Sequence, residues 1–103
     1  MENKDAITAL AALAQESRLA TYRLLVQAGP DGLAASRIAE KLGLPASSLS
    51  FHLKELTHAH LVVPRQDGRF VIYAARFDTM NALVGFLTEN CCDGQSCGPA
   101  CGA

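Results

Sequence analysis

Four cysteines, Cys91, Cys92, Cys97 and Cys101, crowd into the last thirteen residues of a 103-residue chain. A thiolate is a nucleophile and a soft metal ligand at once. A secreted disulfide framework staples distant parts of a fold, and none of these thiols reaches back toward the rest of the sequence. Clustered thiols in a reducing compartment point instead to metal binding or redox chemistry. A four-cysteine set suits zinc. A thiol–disulfide switch is open too: adjacent Cys91 and Cys92 pair poorly with each other, but Cys92 can pair with Cys97 or Cys101. The three-residue gap between Cys97 and Cys101 is not the Cys-x-x-Cys of thiol oxidoreductases. The chain has no phosphate-cradling glycine loop, no Ser/His/Asp or Cys/His arrangement and no paired-carboxylate motif, so an enzyme is the least supported class.

A second set of residues suits a phosphate backbone. The formal net charge is −1, which argues against a uniformly basic DNA-coating protein. Between Arg37 and Arg76, however, six basic residues face three acidic ones, a net of +3, while the remainder carries three against seven, a net of −4. The middle of the chain is therefore the candidate nucleic-acid face. Within it, Ser47, Ser48, Ser50, His52 and Lys54 share one short stretch, and Arg65 and Arg69 flank an Asp67-Gly68 pair.

These residues need elements to hold them. Ile7, Leu10, Ala11 and Ala14 have helical spacing and predict an apolar-faced helix over about Ala6 to Ala14. A second helix is expected from Glu16 or Ser17 to Gln27, stopped by Gly29-Pro30-Asp31-Gly32. A third spans Ala35 to Leu42, with Ile38, Ala39 and Leu42 inward. Gly43 and Pro45 separate it from a fourth, Ala46 to His58, with Leu49, Leu53 and Leu56 as the buried stripe. Leu61 to Gln66 and Arg69 to Ala74 then read as a β-hairpin turning at Asp67-Gly68, with Pro64 suited to an edge strand. A last helix is expected from Asp78 to Asn90. Cys91 to Ala103 has no apolar periodicity and reads as a tail ordered by what it binds.

The order helix, helix, helix-turn-helix, hairpin, helix gives the fold class: mainly α with a β-hairpin, a winged helix-turn-helix. In such a fold the second helix of the helix-turn-helix enters the major groove, and the wing runs along the duplex. That assigns Ser47, Ser48, Ser50, His52 and Lys54 to the groove and Arg65 and Arg69 to the backbone. The serines can instead cap the helix, His52 can pack against the turn, and the wing arginines can be edge-strand charge. Half the residues are hydrophobic, enough for one compact core at this length. No apolar run approaches the length of a membrane span, and the N-terminus lacks a secretory layout, so a soluble cytoplasmic protein is expected.

Leu13-Ala14-Gln15-Glu16-Ser17-Arg18-Leu19, Ile38 to Pro45 with Ser47 to Leu56, and Val63 to Tyr73 together resemble the ArsR family of metalloregulators over nearly the whole chain to Asn90. The resemblance implies a homodimer, a palindromic operator in double-stranded DNA, and repression relieved by an inducer. It divides the chain into a DNA-binding and dimerisation domain, 1–90, and a cysteine-rich inducer-binding tail, 91–103. Ala34 and Ser36 stand where many arsenite-sensing relatives carry thiols, and Asp78 lacks the histidine partner of zinc-sensing relatives. Other arsenic-responsive relatives place an adjacent cysteine pair and a third cysteine past the last helix, a pattern that Cys91, Cys92 and Cys97 match. Cys101 is an extra thiol. The implied inducer is As(III), with Sb(III) or methylarsenite as related species, and no obligatory cofactor is expected. Three thiolates without a nearby histidine suit a trivalent, thiophilic ion. Zinc sensing and thiol-redox sensing on the same fold remain alternatives, as does a metal-buffering role for the tail alone.

Overall fold

Most helix boundaries in this protein have a local chemical cause. The structure, a computed structural model, describes residues 1–94. Cys97, Cys101 and the rest of the expected inducer-binding tail beyond residue 94 lie outside the described residues. The elements are α1 (Asn3–Leu13), α2 (Glu16–Ala28), β1 (Leu33–Ala34), α3 (Ala35–Leu42), α4 (Ala46–His58), β2 (Val62–Asp67), β3 (Phe70–Ala75) and α5 (Phe77–Leu87), followed by a 3-10 turn at Cys91–Gly94.

A Glu2–Asp5 capping box starts α1, and the Arg18 Nε–H donates to the Ala12 carbonyl at 2.7 Å near its C-terminus. The Gln15 side chain accepts from the Arg18 amide at 2.8 Å and so caps α2. Gly29 (φ 81°) and Gly43 (φ 64°) end α2 and α3 in conformations that favour glycine. His60 takes the left-handed place at the end of α4, with φ 62°, and the Leu61 amide reaches back to the Leu56 carbonyl at 3.0 Å. Helices α3 and α4 have the bounds that their sequence pattern predicts.

The sheet is antiparallel in the order β1-β3-β2. Strand β1 was not expected: two residues carry no readable alternation. Leu33 pairs with Tyr73 and Ala34 with Ile72. Gly32 (φ 70°) permits this approach, because a Cβ there would run into the Tyr73 carbonyl. The hairpin turn also differs by one residue. Asp67 pairs with Phe70, so the loop is Gly68-Arg69 and not Asp67-Gly68. Gly68, at the first loop position, has φ 61°, while Arg69 has no positive φ. A turn needing one left-handed residue places it on glycine, whereas Asp67-Gly68 would need two.

Leu25, Ile38, Leu49, Leu53, Leu56, Leu61 and Val62 are fully buried and form the centre of the core. Helix α4 packs against α1, α2, α3 and β2 and so anchors the fold. Helix α1 buries Ala6, Ala9 and Ala12, small residues that let it lie close. Its predicted apolar stripe faces outward at Ile7 and Leu10, which are 66% and 42% exposed. Helix α5 starts one residue before the expected Asp78 and ends at Leu87, not Asn90. The Thr88 hydroxyl donates to the Val84 carbonyl at 2.9 Å, and Asn90 turns the chain with φ 59°. Among the described residues no helix is long and apolar enough to cross a membrane.

Candidate nucleic-acid interface

The buried stripe Leu49, Leu53 and Leu56 sets the rotation of α4 about its axis. At about 100° per residue, Ser47, Phe51, Lys54 and His58 lie on the opposite side, flanked by Ser48 and Ser50. All six are exposed. The hydroxyls of Ser47, Ser48 and Ser50 make no hydrogen bond among the described residues, so the capping alternative does not account for them. The N-cap is Pro45, which offers no side-chain acceptor, and the first turn holds no acidic residue. The amides of Ala46, Ser47 and Ser48 therefore stand unpaired at the positive end of the helix dipole, an arrangement suited to phosphate.

His52 sits on the shoulder of this face. It is half-buried, its Nδ1 is sealed from solvent without a hydrogen-bond partner among the described residues, and its ring makes a T-shaped contact with Phe51, centroids 5.9 Å apart. This placement is closer to packing than to open groove contact. Phe51 itself, 55% exposed, escaped the sequence reading. The signal was present, since position 51 lies about 140–160° from each of Leu49, Leu53 and Leu56 on a helical projection.

Arg69 occupies the wing tip, exposed. Arg65 lies inside β2 opposite Ile72, and one of its terminal nitrogens donates to the Asp31 carbonyl at 3.1 Å. That bond ties the wing to the α2–β1 turn. On α3, Arg37 and Lys41 are exposed one turn apart. Among the described residues the one ion pair is Arg76–Asp78 at 3.2 Å, and the Arg76 guanidinium holds the Asp78 carboxyl below its usual range. Arg37, Lys41, Lys54, Arg65 and Arg69 thus carry charge that no carboxylate pairs with among the described residues.

The thiols lie elsewhere. Cys91 and Cys92 share the 3-10 turn past α5, with sulfurs 3.6 Å apart. Cys92 is an exposed free thiol, whereas Cys91 is disulfide-bonded. Asn90, Cys92 and Asp93 all adopt positive φ, so these residues supply the tight turn. His58 and His60 line a separate cleft of about 480 Å³ together with Asp5 and Asp78. Among the described residues no three His, Cys, Asp or Glu side chains are grouped to hold a metal ion.

A third surface is apolar. Val84 and Leu87 of α5 are 56% and 58% exposed, in addition to Ile7 and Leu10 of α1. Between α2 and α5 runs a groove of about 410 Å³ lined by Leu13, Leu19, Tyr22, Val26, Met80 and Val84. Burial raises the pKa of Tyr22 there, and its hydroxyl has no hydrogen-bond partner among the described residues.

Residues 13–65 match a family model described as a helix-turn-helix domain. The chain is 38% identical over 77 residues to the uncharacterized HTH-type transcriptional regulator YceK of Bacillus subtilis, covering 74% of this chain and 76% of YceK. An ArsR-like transcriptional regulator from Rhodococcus sp. RHA1 superposes with a TM-score of 0.73 at 26% identity, covering 82% of this chain and 76% of that one. The homodimeric winged helix-turn-helix DNA-binding domain Mb0332 of Mycobacterium bovis, named a possible ArsR-family transcriptional regulator, does so at 0.68 and 27%, covering 84% and 81%. The chain is a transcriptional regulator and not an enzyme. With its helix-turn-helix and antiparallel wing, it belongs to the ArsR family of winged helix-turn-helix transcriptional regulators.

Proposed function

We propose that the chain is a repressor that holds operator DNA as a homodimer and releases it when trivalent arsenic binds Cys91, Cys92 and Cys97. The observation that supports the inducer is the adjacency of the Cys91 and Cys92 sulfurs, 3.6 Å apart. A metal–sulfur bond near the zinc value of about 2.3 Å lets one ion bridge sulfurs 3.6 Å apart. As(III) and Sb(III) keep a lone pair and take three thiolates in a pyramid, for which Cys97 is the third donor. A methylated arsenical has fewer open positions, and Cys91 and Cys92 would suffice for it. Each of these species needs Cys91 as a free thiolate, so induction belongs to reducing conditions.

The apolar surface of Ile7, Leu10, Val84 and Leu87 is the dimer face. A two-fold there sets two α4 helices on successive half-sites. The thiols follow α5 by one short turn. Closing three sulfurs on one ion moves the end of α5 at the two-fold and changes the spacing of the recognition helices. A coupling of about 1–3 kcal/mol suffices for a 5- to 150-fold loss of affinity.

Fluorescence anisotropy on operator DNA in reducing buffer, with As(III), Sb(III), methylarsenite and Zn(II) added separately, tests this. Release by As(III) but not Zn(II) is expected. Release by Zn(II) alone would transfer the site to zinc. The disulfide at Cys91 favours a second reading, redox sensing, in which peroxide without any metalloid releases DNA.

A further inference from the structure

We infer that Phe51 reads a thymine 5-methyl group in each half-site and so sets part of the operator sequence. The inference rests on the placement of α4 in the major groove proposed above.

Phe51 stands at the middle of the outward face of α4, between Ser47 one turn before it and Lys54 one turn after. It is 55% exposed and is the one large apolar side chain on that face. Single exposed apolar residues are ordinary on protein surfaces. This one differs in its neighbours. The side chains around it toward the helix start are serines, which are short and carry free hydroxyls. When Ser47 and the first-turn amides of α4 meet phosphate, the ring projects beyond the serines and is carried into the groove. The His52 ring packs against it in a T-shaped contact, with centroids 5.9 Å apart and an interplanar angle of 62°.

A phenyl ring has neither donor nor acceptor, so it cannot use the hydrogen-bonding pattern of a base edge. The one apolar group that normal bases present in the major groove is the thymine methyl. Against any other base the ring leaves a polar edge dehydrated and unpaired, which costs affinity. Phe51 therefore selects thymine both by contact and by exclusion. The serines and Lys54 fix register on the backbone and carry little sequence information of their own.

The test uses duplexes enriched by the full-length protein from a random-sequence library, in reducing buffer. Each thymine of the enriched site is replaced in turn by deoxyuridine, which removes the methyl and leaves pairing intact. One position per half-site is expected to lose affinity about fourfold, the worth of one buried methyl. At that position Phe51→Ala is expected to bind the thymine and deoxyuridine duplexes equally. Phe51→Leu, which keeps an apolar side chain, is expected to retain part of the preference. Libraries enriched by Phe51→Ala are expected to lose the invariant thymine. Equal binding of every deoxyuridine duplex by the wild-type protein would overturn the assignment, as would undiminished discrimination by Phe51→Ala. Enrichment of no duplex at all would instead overturn the placement of α4 in the groove, and the assignment with it.

Discussion

Lys54 and Arg69 are expected to carry separable parts of the proposed DNA contact. Lys54 on the face of α4 and Arg69 at the wing tip are exposed and unpaired by carboxylates. Each is expected to release about one condensed counterion on binding. Lys54→Ala and Arg69→Ala should therefore weaken all duplexes alike and flatten the slope of log affinity against log salt by about one unit each, measured by anisotropy from low to moderate salt. Unchanged slopes would remove these residues from the interface. A different test belongs to Gly32. Its left-handed φ and the Tyr73 carbonyl against it leave no place for a methyl. Gly32→Ala should cost roughly 2–4 kcal/mol in urea unfolding, from strain and forced strand separation together. Asp78 shows a simpler sign. Arg76 holds its pKa low, so Arg76→Ala should move it upward toward the ordinary carboxylate range in an NMR titration. The pair favours the folded state above the unfolded pKa, and that contribution fades as pH falls through the folded value. Both groups are too exposed for the effect to weigh much in stability.

At the scale of elements, α4 holds both the core and the proposed interface. Its inner stripe is buried and the residues opposite are exposed, so packing and the proposed recognition share one helix. Leu53→Ala should cost about 2–5 kcal/mol through lost burial and the cavity left behind. Because α4 meets α1, α2, α3 and β2, DNA affinity should fall with it, whereas Ser50→Ala should spare stability and touch only binding. The wing behaves differently. Its register follows from Gly68 in the turn and from Arg65 pinned to the Asp31 carbonyl, and its outer residues are exposed.

For the whole molecule, the apolar face of α1 and α5 is the surface most in need of a partner. Placing charge there, as in Val84→Glu with Leu87→Glu, should yield a monomer in sedimentation equilibrium while leaving the circular dichroism intact, since both residues are exposed. DNA affinity should then fall steeply, because one half-site alone is engaged. Cys92→Ser should keep the wild-type affinity for DNA and lose release by As(III) in reducing buffer. A Cys92→Ser protein still released by As(III) would remove that thiol from the inducer site.

The amino-acid sequence by itself determined α3 and α4 to the residue, the hairpin, the charge of the middle segment and the clustering of thiols. Helical period, Gly43, Pro45 and the Asp67-Gly68 pair are local signals, and local physics decides them. Family membership was legible in the same stretch, where Ser47 to Leu56 follows Ile38 to Pro45. Only the tertiary structure decided which apolar residues face inward. Ile7 and Leu10 have the same chemistry as core residues, yet the close approach of α1 through Ala6, Ala9 and Ala12 turns them outward. Strand β1 exists because β3 is there to pair with it, and the one-residue shift of the hairpin follows from which residue must take a positive φ. Phe51 was visible as a letter but not as an exposed ring. Its place opposite Leu49, Leu53 and Leu56 has meaning only once those three are buried.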